Sequence, residues 1–337
     1  MRLLLYSNVL HKNINGKVYA YGPYVKEINL WLEEFTDVTI IAPFSNQSNL
    51  DRIEDEIICS NINQIQIIPF SVVSIIDKFK AFFVVPINGI IIFLTMFIPG
   101  HVHVRCPSNV GLIASYIQIL FPWKRKSFKY AGNWVDNIGQ PISYKLQKFI
   151  ISNCFLTRRS KSLVYGKGYD DKECVLDSFT ATYSNSSAIA IKLRVLDPNR
   201  IVKLVFAGAL IPGKNPFVAV NVCKILIEKG IDVQLAICGN GPLYNELYAF
   251  IRDLGLSQKI ELKGNLDRSS LDKILQESHF LLMPSKSEGW PKSVTEAMWW
   301  GTLPIVSPIS CLSFILDDGK RGVIVAPEPD EIASSII

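Results

Sequence analysis

The sequence predicts an α/β protein of two doubly wound, Rossmann-like domains, and three observations carry that prediction. The chain opens as strand, loop, helix and strand; from Lys203 onward it alternates strand and helix; and 337 residues with 49% hydrophobic content suffice for a core in each of two domains.

Residues 1–10 (MRLLLYSNVL) read as a buried strand, a loop containing Asn15 and Gly16 follows, and GPYVKEINLWLEEF has apolar positions at helical spacing. DVTIIAPF is the next strand. Ligands of doubly wound sheets bind outside the carboxyl ends of strands, so Gly16 stands either at the edge of a ligand site or in a plain turn. Residues 82–98 are nearly all apolar and approach a membrane span, but Pro86, Asn88 and Gly89 interrupt them. A buried helix is the expectation. The alternative is an interfacial segment dipping into one leaflet, helped by the basic and aromatic stretch FPWKRKSFKY at 121–130.

HVHVRCPSNVGLIASYIQIL reads as strand, loop and helix, with Arg105 at the strand's end. SFKYAGNWVDNIGQP runs from a strand into a loop holding Asn133. Both loops follow strands, where a doubly wound domain binds its ligand, and, should the two domains face a cleft, Arg105 and Asn133 are the candidates of the first domain's side. Residues 181–200 are polar and turn-rich at both ends, so the boundary is placed to give domains 1–184 and 185–337. Beyond it come the strand KLVFAG, the helix FVAVNVCKILIEKG, the strand VQLAICG, a turn and helix, the strand KIELKG, another helix and the strand FLLMPS, which is the order of a parallel sheet.

The net charge of +5 is mild and lacks an aromatic-interleaved basic stripe, which argues against nucleic acid and suits anionic substrates or an anionic membrane surface. The cysteines are odd in number, widely spaced, without a C-x-x-C pair, and no secretory signal is seen at the N-terminus. Reduced thiols in a cytoplasmic protein are therefore expected. His101 and His103 share strand spacing but have no cysteine or carboxylate motif beside them, so a metal site is not expected.

Residues 287–305 (SEGWPKSVTEAMWWGTLPI) set Glu288 before a turn and Glu296 on a short helix. Pro291 suits the first helical position, and Gly301 with Pro304 stops the helix. At ~1.5 Å of rise per residue, the two carboxylates stand roughly 10 Å apart across the helix N-terminus. Free N–H groups and the positive end of the helix dipole favour an anion between them. From spacing alone, solvated glutamates on a capped surface helix fit equally well.

Two phosphate motifs fail on inspection. GALIPGKN nearly spells a P-loop, but Asn215 replaces the metal-binding hydroxyl, Pro212 removes an N–H, and no later strand ends in the acidic residue that would hold the metal's water. CGNGP holds only G-x-G, without the third glycine of a dinucleotide fingerprint.

Four blocks in order, KLVFAGALIPGKNP, LAICGNGPLYNEL, ELKGNL and FLLMPSKSEGWPKSVTEAMWWGTLPIV, resemble the C-terminal domain of retaining glycosyltransferases of family 4, the glycosyl transferases group 1, with the GT-B fold. That resemblance implies two Rossmann-like domains facing a cleft, the first binding acceptor and the second a nucleotide-sugar donor. It implies Lys214, after Gly208, on the donor diphosphate, and Glu288 on the donor hexose. Backbone N–H groups of Gly289, Trp290, Lys292 and Ser293, around Pro291, would meet sugar hydroxyls and phosphate. Gly239 and Gly241 would line the nucleotide pocket, Asn265 and Leu266 would lie near the base, and Glu296 would hold the ribose hydroxyls. Family members usually carry an arginine beside Gly208; Ala209 stands here, so either Lys292 or Arg105 shares the phosphate charge or activity is weak. A histidine that contacts the sugar in many relatives has no counterpart in Gly132, Asn133 and Trp134. The family's C-terminal helix returning to the first domain is cut short at Ile337.

No D-x-D triplet occurs, so a metal-independent reaction without a cofactor is expected. The expected function is retaining transfer of a hexose from a nucleotide diphosphate sugar to a saccharide acceptor, lipid-linked or soluble, in surface polysaccharide synthesis. It would take place in the cytoplasm or at the inner face of the cytoplasmic membrane. A GT-B nucleotide-sugar epimerase and a non-catalytic sugar-nucleotide-binding protein are the alternatives.

Overall fold

The computed structural model describes all residues except 46, 48, 52, 135–139, 167–170, 180–200 and 310. The chain forms two compact units, Met1–Phe179 and Thr180–Ile337. The boundary expected at 184/185 lies outside the described residues.

In the first unit the elements run β1 (Arg2–Tyr6), β2 (His11–Ile14), β3 (Lys17–Tyr21), α1 (Gly22–Leu32), β4 (Asp37–Ala42), β5 (Phe44–Ser45), β6 (Glu54–Glu56) and β7 (Asn61–Gln66). They continue with α2 (Ile75–Thr95), β8 (His101–Cys106), α3 (Asn109–Ile117), β9 (Lys126–Tyr130), α4 (Ile142–Ile151), β10 (Ser160–Tyr165) and β11 (Val175–Ser178). A seven-stranded sheet has the order β11-β10-β9-β8-β1-β4-β7, with every pairing parallel. A smaller sheet, β5-β2-β3-β6, was not legible in the sequence. Its strands have two to five residues, too few for a clear periodic signal.

Asn15 and Gly16 join β2 to β3, both with positive φ (52° and 82°), as a tight hairpin turn requires. Gly16 is therefore a turn glycine, one of the two readings its sequence context offered. Residues 82–98 are corrected as a core element. Only Ala81, Asn88, Ile92 and Thr95 of α2 are buried, and Phe79, Phe82 and Phe83 stand in solvent. Strong hydropathy reads as burial in a sequence, but here no second layer covers the helix within its unit. The basic stretch at 121–130 is the reverse case. Lys126 is buried and donates to the Gln118 side chain and to the Gln118 and Phe121 carbonyls, and Lys124 reaches the Ile98 carbonyl. Only Trp123 and Arg125 of its expected membrane-facing residues remain exposed.

Cys154, after α4, and Cys174, before β11, are joined by a disulfide with Cα atoms 5.5 Å apart, correcting the expectation of uniformly reduced thiols. The other five cysteines form no disulfide among the described residues.

The second unit runs β12 (Val202–Ala207), α5 (Pro216–Glu228), β13 (Val233–Cys238), α6 (Tyr244–Asp253), β14 (Ile260–Gly264), α7 (Arg268–Glu277) and β15 (Phe280–Met283). It closes with α8 (Lys292–Trp299), β16 (Leu303–Val306), α9 (Leu312–Ile315), β17 (Val323–Ile324) and α10 (Pro329–Ser334). Its parallel sheet has the order β14-β13-β12-β15-β16-β17. Strands buried on both faces, such as VKLVFA, read as continuous apolar runs, which is why this alternation was legible. Leu204, Phe206, Leu235, Ile237 and Leu282 fill the core against Val220 and Cys223 of α5, and Ile332 and Ala333 of α10 pack into the same cluster.

Candidate functional site

Strand order in the second sheet reverses between β12 and β15: β13 and β14 extend to one side, β16 and β17 to the other. In open α/β sheets ligands bind at the carboxyl ends of the strands at such a reversal. The loops leaving these two central strands carry Lys214 and Glu288.

Lys214 ends a single helical turn, Pro212–Lys214, and Asn215 then adopts a left-handed conformation (φ 56°) so that Pro216 can start α5. Glu288 leaves β15 through Pro284 to Ser287. The Lys214 ammonium pairs with Glu288 Oε1, both side chains being mostly buried. The two loops are joined a second time by the backbone, where Lys286 N–H donates to the Gly213 carbonyl at 2.8 Å.

Gly239, with φ 147°, lies so close to the first loop that a Cβ there would stand 1.9 Å from the Gly208 carbonyl oxygen. A Cβ at Gly241 would meet the Leu210 carbonyl oxygen at 2.4 Å. Hydrogen bonds from Gly208 N–H to the Cys238 carbonyl (2.9 Å) and from Leu210 N–H to the Asn240 carbonyl (3.0 Å) hold this approach. The third loop follows β14, where Gly239 N–H donates to the Gly264 carbonyl at 2.8 Å and Asn265 is exposed. Gly208, Lys214, Gly239, Gly241, Asn265, Leu266 and Glu288 thus share one edge of one sheet.

The helix read from the sequence is α8, but Pro291 is its N-cap rather than its first residue. A proline at the N-cap has no side-chain oxygen to give the first turn. Beside it, Ser293 Oγ lies 3.9 Å from Met283 Sδ, and the Gly289 carbonyl faces Cys311 Sγ at 3.6 Å, fixing the turn that holds Trp290. Glu296 is buried and accepts from Arg268 Nη1 at 2.6 Å. Arg268 Nε also pairs with Asp272 at 3.1 Å, and Asp272 accepts from Trp300 Nε1 at 3.0 Å, so this network ties α7 to α8. Burial pushes the Glu296 carboxyl above its ordinary value, against the pull of the Arg268 guanidinium.

Sequence reasoning missed Arg268. The available signal was its spacing to Asp272 on a helix opened by Asp267, whose carboxylate takes the Ser270 N–H at 2.8 Å.

The candidates of the first unit have partners inside that unit. Arg105 Nη1 bonds Glu27 Oε2 at 2.8 Å, and its guanidinium lies 5.0 Å from the centre of the Tyr24 ring, so its charge is spent on Glu27. Asn133 is buried, and its carbonyl accepts from Gln140. Among the described residues no group of three His, Cys, Asp or Glu side chains is placed to hold a metal. His103 is buried at 4.5 Å from the Trp31 ring.

Residues 195–337 match the model of the family described as glycosyl transferases group 1. A UDP-Gal:alpha-D-GlcNAc-diphosphoundecaprenol alpha-1,3-galactosyltransferase of Escherichia coli is 30% identical over 211 residues, 60% of this chain and 52% of that protein. The putative colanic acid biosynthesis glycosyltransferase WcaL of Salmonella typhimurium is 29% identical over 40% of this chain and 34% of its own length. The chain thus spans about half of the first of these relatives and about a third of the second. Among solved structures, the lipopolysaccharide outer core galactosyltransferase WaaB superposes with a TM-score of 0.62 at 15% identity, over 100% of this chain and 89% of that one. Anabaena HepE in complex with UDP gives 0.64 at 10% identity, over 100% and 89%. These likenesses show the fold, GT-B.

Proposed function

We propose that this chain, whose residues 195–337 form a group 1 glycosyl transferase domain, is a glycosyltransferase that moves a hexose from a nucleotide diphosphate sugar to a saccharide acceptor in surface polysaccharide synthesis. The observation that carries the reading is the Lys214 and Glu288 pair at the strand-order reversal, beside the N-terminus of α8. The diphosphate lies on Lys214 and the α8 N–H groups, which offset charge growing on the leaving nucleotide. Glu288, freed from Lys214 by the incoming phosphate, turns its carboxylate to the hexose.

The bond from the anomeric carbon to the diphosphate oxygen breaks and its electron pair leaves with the nucleotide. The acceptor oxygen bonds the same carbon from the same face, and its proton passes to the departing phosphate. That course retains configuration and needs no metal or cofactor. The arrangement around Glu296 changes its part. With Arg268 on Oε1, the carboxylate is held rigid for ribose rather than free to seek it.

The names of the relatives support a saccharide acceptor on a lipid diphosphate, and HepE's complex with UDP supports a uridine nucleotide. The test is a panel of nucleotide sugars screened for thermal stabilisation, followed by transfer to lipid-linked saccharides. Stabilisation by one donor and a product with the donor's anomeric configuration are expected. Donor binding without turnover would make this a binding protein, as Ala209 in place of arginine allows; epimerised donor without acceptor would make it an epimerase.

A further inference from the structure

A 21-residue helix that buries four side chains is an unusual component of a folded unit, since a helix apolar on most sides is ordinarily covered. Ile75, Ile76, Phe79, Phe82 and Phe83 are between 56% and 85% exposed, and Val73 just before them is 88% exposed. The helix is nonetheless firmly begun. Ser74 and Asp77 form a reciprocal capping box, so its first turn stands without help from a core.

Its second half is anchored. Asn88 makes two bonds to the backbone of Ile68, Oδ1 taking the N–H at 2.9 Å and Nδ2 giving to the carbonyl at 2.8 Å, and Ile92 and Met96 enter the sheet core. The strands flanking it, β7 and β8, belong to the same sheet. A bilayer-spanning course is therefore closed to it. The free part, residues 75–87, measures ~20 Å at ~1.5 Å per residue, short of the ~30 Å hydrocarbon thickness.

We propose that the free half of α2 lies in the interface of an anionic lipid bilayer, with its aromatic and isoleucine side chains among the acyl chains. Charge selects this occupant over a second protein surface. Lys78 and Lys80 are exposed on the free half, its single acidic residue, Asp77, is engaged by Ser74, and no charged residue follows from Ala81 to Thr95. At the far end, Phe93, Phe97, Phe121 and Trp123 form a chain of ring contacts 5.0–5.6 Å apart. Trp123 is exposed beside Arg125, and Arg159 holds its carbonyl at 3.0 Å. Both ends thus join apolar or aromatic side chains to cations, the composition of a bilayer interface. The inference stands independently of the transfer reaction.

The test uses the full chain in vesicle co-sedimentation. It is expected to sediment with vesicles containing phosphatidylglycerol several-fold better than with phosphatidylcholine alone, and less so in high salt. The double variant Phe79→Glu/Phe82→Glu is expected to lose at least tenfold in binding, and Lys78→Glu/Lys80→Glu to lose the lipid preference, both with unchanged circular dichroism. Ile75→Asn/Ile76→Asn serves as a milder second variant with the same expected direction. Equal recovery on both vesicles, or binding untouched by all three variants, overturns the proposal. So does a dimer in the absence of lipid that Phe79→Glu/Phe82→Glu converts to monomer, because a second copy would then own this face.

Discussion

Lys214 and Glu288, 74 residues apart in the chain, close an ion pair across the two central strands of the second sheet. Each neutralises the other until a ligand separates them. Lys214→Ala is therefore expected to lower kcat/KM by more than tenfold, equivalent to at least ~1.4 kcal/mol of transition-state stabilisation. Glu288→Gln is expected to lower kcat while affinity for the free nucleotide diphosphate, measured by calorimetry, stays within about twofold. Abolished nucleotide binding in Glu288→Gln would reverse the assignment.

Glu296 is fixed by Arg268 on a neighbouring helix, which makes two variants informative. Glu296→Gln keeps the shape and removes the charge, so donor KM is expected to rise with kcat little changed. Arg268→Ala leaves the buried carboxylate without its cation, so the pKa of Glu296 is expected to climb further and the donor KM to rise most at acidic pH. A pH-independent KM in Arg268→Ala would show that the guanidinium does not control this carboxyl.

Chelation is expected to leave activity intact, since Lys214 and the α8 N-terminus supply the positive charge in the proposed reaction. Loss of turnover in EDTA, restored by Mg2+ or Mn2+, would overturn it.

The stability of the first unit is expected to fall in acid through two histidines. Burial lowers His103 to about 3 and His11 to about 4. Both bind protons more tightly when unfolded, near pH 6.5, so their contribution is complete above that value and is lost as pH falls toward 4 and 3. Each lowers unfolding free energy by up to ~1.4 kcal/mol per pH unit in that window. The urea midpoint is expected to drop between neutral pH and about pH 5, and to drop less in His103→Asn. An equal drop in that variant would assign the acid sensitivity to other groups.

The second unit was legible because its signals are local. Buried parallel strands appear as apolar runs, and Pro291, Gly301 and Pro304 mark the ends of α8 to within a residue. Pairings over long separations were not: nothing near Glu296 in sequence announces Arg268, and nothing near Arg105 announces Glu27. The first unit shows the limit of composition. The same hydrophobic content describes a covered helix and an uncovered α2, and the same lysines describe a surface cluster and the buried Lys126, whose burial lowers it to about 8.

The backbone contact of Gly239 and Gly241 with the loop at Gly208 also decides where this protein can be redesigned. Neither glycine has room for a methyl group, so a mutational screen will return both positions empty and reveal nothing about the donor proposed to bind beside them. Ala209 and Asn265 are exposed on the same rim. A library aimed at altered donor preference has its freedom there, on a frame whose spacing the glycines keep constant.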